Sequence, residues 1–375
     1  MMKALLALGV AALVGLFPGP AVAGRMLAAP AWDHPGYDAE DSFYNPNESA
    51  INAGSIGDLT RRWSVTLRRQ DPSCAGPSAP LVAGGRVFVT DALGISAYQA
   101  SDGRPAWHFT WPEPDDSSTP RMAVAGNVLI AANGDCHSNS DPDGALTALN
   151  VATGRIVWHT VTDTPIVTLA VDKGVAAISG ESPSDELTTI AYGATDGQIR
   201  WTKPLFSSSG VSANGRLLLT HGNATSAVAI TTGAVLWTKP YVWTAQAATP
   251  ASDRFVVTAG TALALVDAAA GTLAWTAPGQ AGELIATDGR RVYRSAGHLV
   301  EALDARTGHR QWSRTLPTEA GQPVRAGGLL YTTGPILNAA NGTIATPGTA
   351  YAGHQIVTGG RLYTVTDTTL TSYAP

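Results

Sequence analysis

The segment LNVATGRIVW, residues 149–158, decides the fold because its pattern returns along the chain. In it a glycine, Gly154, is followed four residues later by a tryptophan, Trp158. The same spacing occurs in five further pairs: Gly103/Trp107, Gly197/Trp201, Gly233/Trp237, Gly271/Trp275 and Gly308/Trp312. Successive copies lie roughly 40 residues apart, which is the length of one blade of a β-propeller. The repeat therefore predicts a ring of small sheets.

Each repeat contains the turn residues of a β-hairpin between apolar runs. Gly84-Gly85 and Asn214-Gly215 are examples, and both dipeptides tolerate the positive φ angles of tight two-residue turns. We expect four short strands per repeat and no long helix. Polar residues such as Asn150 and Asp304 stand four positions before the repeat glycine, where we expect them to bond their own turn rather than to act in catalysis.

The two ends of the chain complete the count of blades. A seventh copy, around Gly342, has Thr346 in the tryptophan slot, and Trp63 occupies an eighth slot without a glycine. After Thr346 only enough chain remains for three strands. We therefore predict an all-β, eight-bladed propeller of four-stranded antiparallel blades, in which the Trp63 strand completes the last blade and leaves no open edge.

The tryptophans of the repeated slot are expected to pack one blade against the next, since a residue that recurs in nearly every blade serves the repeat itself. We assign this structural role to Trp63, Trp107, Trp158, Trp201, Trp237, Trp275 and Trp312.

The N-terminus reads as an export signal. Lys3 precedes an apolar run, and Ala21-Val22-Ala23 follows as a cleavage site. We expect a signal peptide at residues 1–23, an N-terminal extension at 24–36 and the propeller at 37–375. The predicted product is a secreted or periplasmic monomer with no membrane insertion. The net charge of −5 and the absence of a basic stripe argue against nucleic-acid binding.

Two cysteines remain in this exported chain, Cys74 and Cys136. An even pair in an oxidising compartment favours a disulfide, and we expect one here. The alternative is two free, inert thiols.

The glycine–tryptophan pattern resembles the PQQ-binding-like repeat of quinoprotein alcohol dehydrogenases, and also the propeller subunit of the outer-membrane barrel-assembly machinery. Tyr44-Asn45-Pro46-Asn47-Glu48 resembles the dehydrogenases' N-terminal lead. The resemblance implies pyrroloquinoline quinone (PQQ) on the propeller axis, between a tryptophan and a disulfide of adjacent cysteines, with a calcium ion and an Asp base. This chain has no Cys-Cys dipeptide, and no base or calcium ligand of that site can be placed on it. We expect no PQQ and assign no catalytic residue.

The assembly subunit that the repeat also resembles is a lipoprotein, whereas this chain has no cysteine near the cleavage site. A barrel-assembly-type scaffold of the cell envelope stays an alternative, as does a quinone-dependent dehydrogenase.

Long loops are concentrated in the first three repeats, on the face where the chain enters each blade. We call this the upper face. Long loops on a rigid scaffold are where binding residues concentrate. We therefore expect a non-catalytic module that binds a protein or a glycan there, through Trp111, Asp115, Asp116, Glu181 and Asp185.

One of these loops contains oxygen donors at alternate positions before Gly144, a pattern that suits calcium. The candidate ligands are Asp135, Asn139, Asp141 and Asp143. Asp141-Pro142-Asp143-Gly144 is equally typical of a plain turn.

Overall fold

The computed structural model describes residues 31–138, 140–279, 283–347 and 351–375, and these form a ring of eight sheets. The predicted signal peptide lies outside the described residues. Ahead of the first blade the chain forms β1 (Tyr44–Asn45), a 3-10 helix (Ile56–Asp58) and β2 (Thr60–Thr66). No helix in the described part of the chain is long and apolar enough to span a bilayer.

The first four blades follow one another along the chain, each as an antiparallel sheet in strand order. Blade one contains β3 (Leu81–Ala83), β4 (Arg86–Asp91), β5 (Gly94–Gln99) and β6 (Pro105–Thr110). Blade two contains β7 (Arg121–Ala125), β8 (Val128–Gly134), β9 (Gly144–Asn150) and β10 (Ile156–Thr162). Blade three contains β11 (Thr168–Asp172), β12 (Val175–Gly180), β13 (Thr188–Gly193) and β14 (Ile199–Pro204). Blade four contains β15 (Ser207–Ala213), β16 (Arg216–His221), β17 (Ala224–Ala229) and β18 (Val235–Lys239).

The second half of the ring repeats this plan. Blade five contains β19 (Thr244–Ala248), β20 (Arg254–Ala259), β21 (Ala262–Asp267) and β22 (Leu273–Pro278). Blade six contains β23 (Leu284–Thr287), β24 (Arg291–Ala296), β25 (Leu299–Asp304) and β26 (Arg310–Thr315). Blade seven contains β27 (Val324–Ala326), β28 (Leu329–Tyr331), β29 (Ile336–Asn338) and β30 (Ile344–Thr346). Blade eight contains β31 (His354–Thr358), β32 (Arg361–Val365) and β33 (Thr369–Ala374).

Blade eight is completed by the N-terminal strand, as predicted. Strand β2 pairs antiparallel with β33, and Trp63 lies opposite Ser372. The eight-bladed, all-β fold is thereby confirmed, and the two ends of the chain lie in one sheet.

Seven of the eight seams between blades share one contact. The indole N–H of the slot tryptophan donates to a backbone carbonyl of the next blade over 2.7–3.3 Å; the acceptors are Ala100, Val151, Ala194, Ile230, Ala268, Ala305 and Ala339. The ring of the same tryptophan covers the repeat glycine of that next blade. A Cβ on Gly154, for example, would lie 2.6 Å from the ring of Trp107. Within one repeat, the glycine therefore belongs to the seam with the preceding blade, and the tryptophan belongs to the seam with the following blade.

The seam between blades seven and eight differs because blade eight has no turn between its last two strands. Those strands, β33 and β2, come from opposite ends of the chain. No glycine turn is therefore present for an indole ring to cover, and the slot holds Thr346. The buried Ile56 of the 3-10 helix lies next to β30 here.

Residues 31–48, which we call the belt, run around the inside of the ring. Their hydrogen bonds reach the innermost strands of blades one to eight in turn, through Val82, Val124, Val171, Ser212, Ala248, Thr287, Arg325 and Val357. The distances lie between 2.6 and 2.9 Å. These partners lie in the last residues of their strands or close to them, so the belt crosses the channel near the lower face. Strand β1, which lies within the belt, pairs in parallel with β27.

The belt follows the tight curve of the ring by adopting unusual backbone angles. Tyr37, Asp41 and Phe43 have φ values of 88°, 46° and 50°. Non-glycine residues rarely adopt this region, and they persist there only when the surroundings determine their conformation. The hydrogen bonds to successive blades provide those surroundings.

Candidate functional site

The predicted disulfide between Cys74 and Cys136 is present, with a Cα–Cα distance of 6.3 Å. It joins the segment that enters blade one to the long loop inside blade two, and so ties two neighbouring upper-face loops together. His137 lies beside it, with Nε2 3.7 Å from Cys74 Sγ. These three residues are the one cluster of potential metal ligands within the described ranges, but the bonded cysteines offer no thiolate.

Asp116 organises the same region from the loop between blades one and two. Its Oδ1 accepts the backbone N–H of Cys136 at 3.1 Å and that of His137 at 2.8 Å. These two hydrogen bonds hold the pKa of the Asp116 carboxyl below its ordinary value. Asp116 therefore stabilises the loop through hydrogen bonds and also contributes a charge to the surface.

The upper loops of blades two and three contact each other. Ser118 N donates to Gly134 O at 2.9 Å, which joins the blade-two entry to the loop inside that blade. Ser184 Oγ donates to Ser140 O at 2.7 Å, which joins that loop to the corresponding loop of blade three. The loops thus form one continuous surface.

This surface is strongly acidic. We define the acidic rim as Glu113, Asp115, Asp116, Asp135, Asp141, Asp143, Asp163, Glu181, Asp185 and Glu186, all exposed or half-exposed. The rim holds ten of the 29 acidic residues of the chain, and the four loops that supply it contain no Lys or Arg. Four of the five residues expected to contact a partner, Asp115, Asp116, Glu181 and Asp185, are members of the rim.

Trp111, the fifth residue expected to contact a partner, occupies a different place. Its side chain is 4% exposed and packs edge-on against Phe109, with ring centroids 4.9 Å apart. Its backbone N–H donates to Leu93 O. Trp111 therefore belongs to the core beneath the rim, where it supports the loop from below.

The candidate calcium loop is present on the rim, but its carboxylates do not converge. Among the described residues, the oxygens of Asp135, Asp141 and Asp143 do not form a group of three within 4.8 Å. Asn139 lies outside the described residues. Burial and the charges of Asp135, Asp163 and other neighbours raise the pKa of the Asp143 carboxyl. Burial is the larger cause of this shift, and repulsion from the neighbouring carboxylates adds to it.

An axial cavity opens at the upper end of the channel, and the belt forms its floor. One part, of about 500 Å³, lies against blades one to four, and we call it the polar pocket. A second part, of about 720 Å³, lies against blades six to eight. Pro35, Phe43 and Ala79 border both parts. The channel is thus a cup that is open upward and closed below.

The belt places carboxyl groups in and beneath this cup. Burial raises the pKa of Asp38 to about 7, and the nearby charge of Glu40 adds to the effect. Burial raises the pKa of Asp41 to about 6. For His34, burial lowers the pKa, but the hydrogen bond and charge of Asp33 outweigh it, so the net shift is upward. Burial in the belt thus shifts the pKa values of Asp38 and Asp41 upward, toward neutrality.

The lining of the axial cavity does not fit a quinone held as the resemblance implies. None of the described lining residues is Trp or Cys. Trp111 and Trp243, the blade tryptophans outside the repeated slot, are both buried, and neither is among the residues that line the cavity. Trp243 stacks on Tyr241. The disulfide lies in the upper-face loops and joins cysteines 62 positions apart, whereas the resemblance implies a disulfide between cysteines adjacent in the sequence. We derive no redox step for this cavity.

The belt and the polar pocket could not be identified by sequence reasoning. Asn133, Thr168 and Ser209 border the pocket, yet each comes from a different blade and none recurs in the repeat. Two features of the sequence hint at the pocket, but only weakly. A polar residue follows the apolar run 128–132, and three serines stand together at 207–209.

Comparisons with known proteins agree with this architecture. A family model described as outer membrane protein assembly factor BamB matches residues 60–225 and 220–369. Among solved structures, the quinohemoprotein alcohol dehydrogenase ADHIIG from Pseudomonas putida HK5 has a TM-score of 0.67 at 14% identity, over 92% of this chain and 80% of the other. The enzyme from Comamonas testosteroni has a TM-score of 0.66 at 14% identity, over 93% and 81%.

BamB from Moraxella catarrhalis has a TM-score of 0.59 at 18% identity, over 84% of this chain and all of that one. At these identities the likeness concerns the fold alone. No curated protein sequence matches the chain.

Proposed function

We propose that this chain, which belongs to the family whose model is described as outer membrane protein assembly factor BamB, is a secreted, non-catalytic propeller. It binds a partner through its upper-face loops. One observation carries the proposal. Ten acidic side chains lie on one continuous surface whose loops contain no Lys or Arg. The disulfide that fastens this surface suits an oxidising compartment.

The charge of the rim indicates the kind of partner. A dense negative surface attracts cationic groups and accelerates their encounter, whereas it repels anionic ones. Proteins with Lys- or Arg-rich surfaces meet this requirement, while neutral or anionic glycans do not. We therefore favour a basic protein partner at the rim.

The test is capture of the partner by the purified, immobilised protein from secreted and envelope fractions of the producing organism. The test variant carries Asp115→Asn with Glu181→Gln, which removes two exposed rim charges. The matched control carries Asp58→Asn with Glu319→Gln, which removes two exposed charges outside the rim. We expect the rim variant to retain roughly a tenth of the partner or less, and the control to retain all of it.

Salt sharpens the same test, because contacts between exposed charges are screened at high ionic strength. Capture that is equal for the rim variant and the control, or that is insensitive to salt, would reject the acidic rim as the binding surface.

Calcium binding at the rim is a secondary proposal, based on the oxygen donors at alternate positions of the sequence before Gly144, namely Asp135, Asp141 and Asp143. Addition of millimolar calcium is expected to raise the thermal midpoint of the wild type and to leave Asp141→Ala unchanged. An unchanged midpoint of the wild type would remove the proposal.

The competing function is a PQQ-dependent dehydrogenase, and the fold likeness to two quinohemoprotein alcohol dehydrogenases is what favours it. Purified protein incubated with PQQ and calcium distinguishes the two functions. Bound-quinone absorbance together with dye-linked oxidation of alcohols would support the enzyme. Neither signal is expected from a binding module.

A barrel-assembly-type scaffold of the cell envelope is a variant of the binding function. It differs in the partner and not in the surface used. Captured partners that are envelope proteins would favour it.

A further inference from the structure

We propose that the polar pocket of the axial cavity binds a neutral saccharide of one or two rings. This site is distinct from the acidic rim, and the proposal does not depend on the partner bound there. It rests on polar groups that the fold brings together and leaves unpartnered.

The strongest of these groups is the Asn133 side chain. Asn133 is 5% exposed, and its Oδ1 has no hydrogen-bond partner among the described residues. The residue ends the buried part of β8 and borders the pocket. A buried amide oxygen without a donor is costly, so a ligand or solvent donor is expected to satisfy it.

Two hydroxyl groups from neighbouring blades also lack a hydrogen-bond partner. Thr168 Oγ1 of blade three and Ser209 Oγ of blade four are buried and unpartnered within the described part of the chain. Ser209 lies in a bulge of β15, between Ser208 and Ser212, where the pairing with β16 shifts. Bulges re-aim side chains and recur beside binding sites. Asn133, Thr168 and Ser209 all border the polar pocket, so three blades each supply it with a residue whose polar atom has no partner among the described residues.

The charges and the apolar surface of the pocket select the class of ligand. Arg121 and Asp41 both border it, so neither a strong anion nor a strong cation is favoured. Phe43 borders both parts of the cavity and supplies an aromatic side chain there. A sugar ring offers hydroxyl donors and acceptors on its rim and an apolar C–H face. The volume of about 500 Å³ falls within the range of small-ligand sites.

The binding test uses isothermal titration calorimetry on the purified protein. The probes are glucose, galactose, mannose, N-acetylglucosamine, maltose and cellobiose, with glucuronate as an anionic comparison. We expect at least one neutral sugar to bind with a stoichiometry of one, and glucuronate to bind more weakly than glucose.

Substitutions assign the binding to the pocket. Asn133→Ala is expected to weaken binding about tenfold, and Ser209→Ala several-fold, because each removes one hydrogen-bond partner of the sugar. The matched controls are Asn127→Ala, which is exposed on the lower face of the same blade, and Ser313→Ala, which is exposed on an outer strand. Both controls should bind as the wild type does, and unfolding midpoints verify that all four variants are folded.

Three results would overturn the proposal: no probe binds at high millimolar concentration, the two pocket variants bind as tightly as their controls, or glucuronate binds more tightly than every neutral sugar. If Asn133→Ala does not fold, Ser209→Ala alone decides between a pocket site and a site elsewhere.

Discussion

The tryptophan seams and the acidic rim are built on opposite principles. The seams repeat one contact seven times, an indole N–H to a carbonyl and a ring over a glycine, with little change of distance. The rim has no repeated contact: its carboxylates lie on four loops that lead into or lie within blades two and three, and these loops are held by one disulfide and by Asp116. Of the seven slot tryptophans, three are buried and four are partly buried, whereas the rim carboxylates face solvent.

This difference separates stability from binding. Seams bury aromatic surface and satisfy polar groups, which is what holds a ring of small sheets together. Exposed carboxylates contribute little to stability, so the rim is free to carry charge. Changes in the seams should therefore destabilise the protein, and changes to exposed rim charges should leave it folded but weaken its binding.

The largest effect is expected from Trp107→Ala. Trp107 is 8% exposed and donates to Val151 O at 3.0 Å. Its removal leaves a cavity and an unpaired carbonyl, and should lower the free energy of unfolding by about 3–5 kcal/mol in guanidinium titration. The control is Ile156→Ala, on the outer strand of blade two and 56% exposed. Equal losses for the two variants would show that seams and outer surfaces do not differ.

Loss of the disulfide should come next. The double substitution Cys74→Ser with Cys136→Ser releases a cross-link between residues 62 positions apart. We expect the free energy of unfolding to fall by about 2–4 kcal/mol, chiefly because the unfolded chain becomes less constrained. A reducing agent should destabilise the wild type and leave the double variant unchanged. If the free energy of unfolding of the wild type is the same before and after the disulfide has been reduced, the cross-link does not stabilise the fold.

A glycine pair isolates the ring contact from backbone strain. Gly154 and Gly174 have φ values of 68° and 73°, but only a Cβ on Gly154 would meet a tryptophan ring, whereas one on Gly174 meets nothing within 4 Å. Gly174→Ala should cost about 1 kcal/mol through its backbone angle alone. Gly154→Ala should cost about 2–3 kcal/mol because the ring must also move. Identical unfolding midpoints would argue against close packing in the seam.

The smallest stability effect concerns the belt and depends on pH. The pKa of Asp38 is raised to about 7 in the folded protein, above its ordinary value. Its contribution to stability is therefore present at low pH and is lost as the pH rises through about 7. The charges of Glu40 and Asp41 act on the same carboxyl.

Asp38→Asn should remove this dependence and still accept the hydrogen bonds from Ser42. Between about pH 5 and pH 8 the wild type should lose about 1–3 kcal/mol more than the variant in urea titration. The exposed Asp58→Asn serves as the control. Parallel pH profiles for Asp38→Asn and the wild type would contradict a buried carboxyl at this position.

Features that recur in the chain could be predicted from the sequence. The eight blades and the closing strand follow from a motif whose copies support one another, and the disulfide follows from a single pair of cysteines. Thr346 marks the irregular seam in the sequence, although the absence of a turn in blade eight becomes evident only when β2 pairs with β33.

Features that occur once could not be predicted. The belt has no periodicity, because eight of its residues each contact a different blade, and their partners lie between tens and hundreds of positions away. Trp111 stands among acidic residues in the sequence, yet the turn after β6 directs it into the core. The polar pocket is lined by residues from several separate segments of the chain, and local sequence patterns do not encode which of these segments meet.

Zero-length cross-linking of carboxylates to lysine amines tests the division between seam and rim most directly. After a partner has been captured, the coupled residues are identified by mass spectrometry. The account predicts cross-links from rim residues such as Asp115, Asp141 and Glu181 to lysines of the partner. Cross-links concentrated instead at lower-face acids such as Asp102, Asp196 and Asp253 would contradict it.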